Sequence, residues 1–162
     1  PNRISYIREL RPYMYWLKFL ETGEQAGDLD WQAIGGTWGS ATSKLSTWEP
    51  VNTQLPKRLL DVCEKIEKAD PKNGITMALY VKKFFDDMYL HFSNLRNRLN
   101  NNATLNYILG NSSFYGNYVE TDLIIEEMLN ALGFSEVKSV IIRKRNSKKN
   151  LFEYNITAKW IE

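Results

Sequence analysis

The densest charge in the chain lies at Arg143-Lys144-Arg145-Asn146-Ser147-Lys148-Lys149, which holds five cations and no anion. Guanidinium and ammonium groups so closely spaced suit contact with phosphate oxygens. The same run also suits a solvated hairpin tip, and the residues alone leave both readings open. Arg8, Arg11 and Lys18 form a second basic set beside an apolar stripe. They read either as a solvated helix face or as further phosphate donors. Asn111 and Ser112 follow Gly110 at the end of an apolar run. An amide and a hydroxyl at that point either make a turn or line a cleft beyond a strand end.

Counts limit other chemistries. Cys63 is the single cysteine and His91 the single histidine, so a zinc set of the usual composition is not available, and no metal site is expected. Cys63 has no partner for an internal disulfide, which points to a reducing, cytoplasmic setting. No run is apolar enough to span a membrane, and the first residues lack a basic-then-apolar leader. A net charge of +2 is too mild to diagnose a nucleic-acid binder, so the clustering of charge carries more weight than its total.

The elements that position these groups follow from periodicity. The length of 162 residues predicts a single domain. Residues 1–20 are expected to hold a helix over 4–20, with Ile7, Leu10, Met14 and Leu17 as its apolar stripe and Pro12 kinking or interrupting it. Residues 21–54 contain Gly23, Gly27, Gly35, Gly36 and Gly39 together with Trp31, Trp38 and Trp48. They are expected to form a long irregular segment. Its indoles either anchor it to a core or stack on an exposed base. Residues 55–102 are expected to be helical. Pro56 opens one helix, with Leu59, Leu60, Cys63 and Ile66 buried, and a longer helix covers 75–99. Arg96 and Arg98 suit the negative end of the longer helix. Residues 103–162 read as strand Thr104–Leu109, a loop over 110–116, and a helix capped by Thr121 and stopped by Gly133. Strands Val137–Arg143 and Phe152–Ile161 follow. In the last strand Phe152, Tyr154, Ile156, Ala158 and Trp160 alternate with polar residues, a period of two.

The order of these pieces resembles one subgroup of bacterial S-adenosylmethionine-dependent DNA amino-methyltransferases. The likeness covers most of the chain. It rests on Tyr6-Ile7-Arg8-Glu9-Leu10-Arg11, Tyr15-Trp16-Leu17 and Ile34-Gly35-Gly36-Thr37-Trp38-Gly39. It rests also on Phe85-Asp86-Asp87-Met88-Tyr89, Ile108-Leu109-Gly110-Asn111-Ser112, Thr121-Asp122, Leu132-Gly133-Phe134 and Arg143 with Arg145. No single piece is specific to the family.

The resemblance implies an α/β fold that is part of a class I methyltransferase (Rossmann-like) sheet. The strands would be the fifth, seventh and sixth of that sheet, with the last one antiparallel in the middle. It implies a C-terminal portion that begins just past the family's Pro-Pro-Tyr catalytic motif, since the chain has no Pro-Pro pair and no glycine-rich cofactor loop. It implies transfer of a methyl group from S-adenosylmethionine to the exocyclic amino group of adenine or cytosine. The chain alone is expected to be inactive and not to bind that cofactor. No catalytic residue is assigned. Asn111 and Ser112 are assigned to the base or cofactor cleft. Arg8, Arg11, Arg143, Lys144, Arg145, Lys148 and Lys149 are assigned to DNA, and residues 21–54 to target recognition. The missing half would come from another segment or a separate cofactor-binding chain. The first strand would then present a bare edge, covered by the Trp-rich segment, the first helix or a neighbouring copy in a symmetric dimer. The alternatives are a non-catalytic DNA-binding module or a protein-interaction domain.

Overall fold

A computed structural model describes residues 6–35, 44–52, 54–145 and 150–161. The chain divides into two compact units, Asn2–Glu49 and Pro50–Glu162.

The smaller unit contains α1 (Tyr6–Trp16) and α2 (Gly23–Gln32). Helix α1 runs through Pro12 without the expected interruption and ends at Trp16, ahead of Lys18 at φ 60°. Helix α2 corrects the reading of 21–54 as irregular throughout. Thr22 and Gln25 form a capping box: the Thr22 hydroxyl accepts the Gln25 N–H at 3.2 Å and Gln25 Oε1 accepts the Thr22 N–H at 3.2 Å. Gly23 and Gly27 have nothing within 4 Å of a β-carbon position. They sit on an open helix surface, where glycine costs helix stability without ending the helix. Ala26 and Leu45 are fully buried. Lys44 pairs with Asp28 at 2.5 Å and lies 6.0 Å from the Trp31 ring centre. Trp38 lies outside the described residues.

The larger unit begins with a helical hairpin, α3 (Lys57–Ala69) and α4 (Gly74–Arg96). Asp70 turns the chain between them by accepting the Lys72 and Asn73 N–H groups at 2.9 and 2.8 Å. Gly74 opens α4 against the α3 backbone; a β-carbon there would stand 2.2 Å from the Glu67 carbonyl oxygen. Leu59, Cys63 and Ile66 are buried as the spacing predicts, but Leu60 is exposed and Val62 takes its place inside. In α4, Val81, Phe84, Phe85, Met88 and Phe92 form the core face. The Asp86 carboxylate, also buried, accepts the Val51 and Asn52 N–H groups at 3.1 and 2.9 Å. Arg96 donates to the Leu132 carbonyl rather than to its own helix end.

Beyond α4 come β1 (Ala103–Gly110), β2 (Ser112–Phe114), β3 (Asn117–Val119), α5 (Thr121–Ala131), β4 (Ser135–Lys144) and β5 (Phe152–Trp160). The main sheet has the order β1-β5-β4, and β5 is antiparallel to both neighbours. β1 and β4 therefore run parallel with the returning strand between them, as expected. Leu105, Ile156 and Ala158 are buried on the helix-covered face, where Phe92 packs edge-on against Tyr107 and Phe134 packs against Trp160. His91 Nε2 lies 2.6 Å from the Tyr107 hydroxyl on that side. The opposite face carries Thr104, Asn106, Thr157 and Lys159, with Ile108 and Val140 exposed among them. Among the described strands, β1 pairs with β5 alone.

Two local expectations are corrected. Residues 110–116 are not a loop: β2 and β3 form a hairpin whose turn residues Tyr115 and Gly116 both have positive φ, 48° and 81°. Thr121 does not cap α5. Glu120 holds that position and the buried Thr121 hydroxyl has no hydrogen-bond partner among the described residues. Gly133, at φ 88°, ends the helix as the sequence predicts.

Candidate functional site

The carboxyl ends of β1 and β4 and the start of β5 lie together at one rim of the sheet, and most of the candidate residues of this unit collect there. Asn111 is the hub. Its side-chain oxygen accepts the Phe152 N–H at 2.8 Å and its amide donates to the Tyr154 hydroxyl at 3.1 Å. Its backbone oxygen accepts from Arg145 Nη1 at 3.0 Å. Asn111 is 0% exposed, so it presents no surface to a cleft and instead clamps the end of β1 to β5. Ser112 is buried beside it, at the start of the β2–β3 hairpin.

Gly110 gives the clamp room. A β-carbon there would stand 3.1 Å from Arg145 Nη1, so a side chain at this position would push the guanidinium back by a few tenths of an ångström.

The basic run separates into distinct environments. Arg143 is cross-strand from Glu153 and grips its carboxylate with Nε and Nη2, at 2.6 and 3.1 Å. That charge-assisted pair holds the Glu153 carboxyl below its ordinary range and raises the Arg143 guanidinium. Arg145 is bound to Asn111. Lys144 stands opposite Phe152 in the β4–β5 register, exposed and without an ion-pair partner among the described residues. Lys148 and Lys149 lie outside the described residues. In the smaller unit Arg8 is exposed and lies 3.7 Å from Glu9, and Arg11 is half-buried with its Nε unpartnered among the described residues.

Between the β2–β3 hairpin and the start of β5 is a cavity of ≈ 550 Å³. Ser113, Gly116, Tyr118, Asn150, Leu151 and Phe152 line it. The Tyr118 hydroxyl is hydrogen-bonded to Tyr154; partial burial, and then this bond, hold it above the ordinary tyrosine range, so it stays protonated at neutral pH. A chain of contacts thus runs Tyr118–Tyr154–Asn111–Arg145. Sequence spacing does not single out Tyr118, because Asn117-Tyr118-Val119 is too short to show a period. The signal that points to it is Gly116, because a glycine suits the positive φ of a tight hairpin turn.

The described strand-to-helix junction, Val119–Thr121, has no glycine, and Glu120 within it is ion-paired with Arg58 at 2.5 Å. Among the described residues no group of three or more His, Cys, Asp or Glu side chains could hold a metal ion. No described helix is long and apolar enough to cross a membrane. Comparison with protein-family models, with characterised proteins and with solved structures finds no match.

Proposed function

We propose that the chain is the C-terminal portion of a site-specific DNA amino-methyltransferase, acting on adenine or cytosine with S-adenosylmethionine supplied through another segment or chain. The observation that supports this most is the position of β5, reversed between the parallel β1 and β4 with α5 in the crossover. The resemblance in motif order predicts that arrangement from sequence. In this reading the rim built on Asn111, Ser112 and Arg145 supports the target cleft, and Arg8, Arg11, Lys144, Lys148 and Lys149 meet DNA phosphates. The outer β1 edge meets the missing half or a second copy. The single, buried Cys63 suits a cytoplasmic setting.

In this reading the chain alone binds DNA without methylating it, since its sequence has no Pro-Pro pair and no glycine-rich cofactor loop. A second reading, a DNA-binding or target-recognition module with no part in catalysis, rests on the basic run Arg143–Lys149 alone.

Duplex titration at about 20 mM and about 200 mM salt tests both, because electrostatic binding is strongest at the lower value. Absence of binding at low salt removes every nucleic-acid reading and leaves a protein-interaction domain. A melting temperature that rises with S-adenosylmethionine would contradict the expected lack of cofactor binding. Restoration of methyl transfer on adding a cofactor-binding chain separates the enzyme reading from the module.

A further inference from the structure

We infer that the cavity between the β2–β3 hairpin and the start of β5 is a nucleotide subsite, holding a flat base ring with its phosphate on Lys144. The inference rests on the nucleic-acid reading above and adds a specific place for one base. The cavity is ≈ 550 Å³, within the range of sites that hold small ligands. Tyr118, Phe152 and Leu151 line it together with Ser113, Gly116 and Asn150, so its lining is mainly aromatic and apolar with two polar residues. Aromatic walls with few polar groups suit a planar heterocycle, since every base has a π-face to stack.

Gly116 at the hairpin tip adds no side chain to the lining, and nothing stands within 4 Å of a β-carbon position there. Charge sets the second half of the ligand. Residues directly opposite on adjacent strands share a face, so Lys144 lies beside Phe152, one of the residues that line the cavity. Arg143 points to the other face and is engaged by Glu153, and Arg145 is engaged by Asn111. Of the described cations in this run, Lys144 is thus the one left to face a ligand. An ammonium beside an aromatic slot asks for a phosphate attached to the ring.

The test uses the isotope-labelled whole chain and follows backbone amide signals with 5′-AMP, adenosine, inorganic phosphate and S-adenosylmethionine. We expect 5′-AMP to shift Ser113, Gly116, Tyr118 and Phe152, and adenosine to shift the same set more weakly. Lys144→Gln should weaken 5′-AMP at least about threefold and leave adenosine unchanged. Ser113→Leu should fill the slot and abolish both; if that variant does not fold, Lys144→Gln, at an exposed position, still decides.

No shift at about 10 mM 5′-AMP, a weakness beyond any useful site, overturns the inference. So does an equal response to phosphate alone, or tighter binding of S-adenosylmethionine, which has no phosphate. If oligonucleotides bind at low salt while 5′-AMP leaves these amides unmoved, the subsite fails and the DNA reading stands. If 5′-AMP fills the cavity while no oligonucleotide binds, the DNA reading fails and the subsite stands.

Discussion

Asn111 and Phe152 hold each other from both directions: the Phe152 N–H donates to the Asn111 side-chain oxygen at 2.8 Å, and the Asn111 N–H donates to the Phe152 carbonyl at 3.3 Å. The pair closes the rim of the sheet where no solvent reaches Asn111. Replacing Asn111 by Ala removes the acceptor for the Phe152 N–H and the donor to Tyr154. A buried group left unsatisfied costs about 1–3 kcal/mol, so Asn111→Ala should lose about 2–4 kcal/mol in urea denaturation. A loss within about 0.5 kcal/mol, the range of an ordinary surface change, would deny the residue its clamping role.

Gly74 predicts a larger effect than its position at a helix start suggests. The intruding β-carbon of Gly74→Ala meets the Glu67 and Ile66 carbonyl oxygens, which belong to backbone and not to a flexible side chain. The α3–α4 hairpin must open to admit it. Overpacking of this kind costs about 1–3 kcal/mol, against the slight gain that Gly→Ala gives in an open helix. A Gly74→Ala protein at least as stable as the parent would show that the two helices do not approach so closely.

The basic run makes unequal contributions to DNA binding. Removing one cation that meets a phosphate lowers the slope of log affinity against log salt by about 1. Lys144→Gln should show that drop. Arg143→Gln should show much less, because its guanidinium is already bidentate on Glu153. Equal slopes for the two variants would mean that the Arg143–Glu153 pair dissolves on binding.

Cys63 should be inert in the native state. Burial pushes its thiol up to about 12, so the thiolate is scarce at pH 9 and a thiol reagent reacts only after unfolding. The sign of the accompanying pH effect follows. The folded state keeps the proton that the unfolded chain releases at about pH 8.5, so this contribution to stability is whole below that pH and declines as pH climbs toward 12. Rapid native labelling at pH 9 would place the thiol at the surface.

Elements with a strong period are legible in the sequence: α4, α5 and β5 lie where their apolar spacing puts them, and the clean alternation from Phe152 to Trp160 marks the central strand. Features set by distant partners are not. Asn111 has the same turn preference whether it lines a cleft or is sealed under Phe152, and only the β1–β5 register decides. Asp86 reads as one of two acids on a helix; its function as the acceptor for the Val51 and Asn52 N–H groups depends on a segment far away in sequence. Helix α2 is hidden because Gly23 and Gly27 outweigh a capping box that is present in the residues.

The middle position of β5 also governs how the protein can be made. Among the described strands β1 and β4 each pair only with β5, so neither gains that partner until Phe152–Trp160 emerges from the ribosome. A nascent chain stalled at the basic turn therefore carries two strands still without the one that joins them, Ile108 and Val140 among their exposed residues. During that interval the polypeptide is most exposed to sticking to its neighbours on a polysome, and chaperone capture would matter most there.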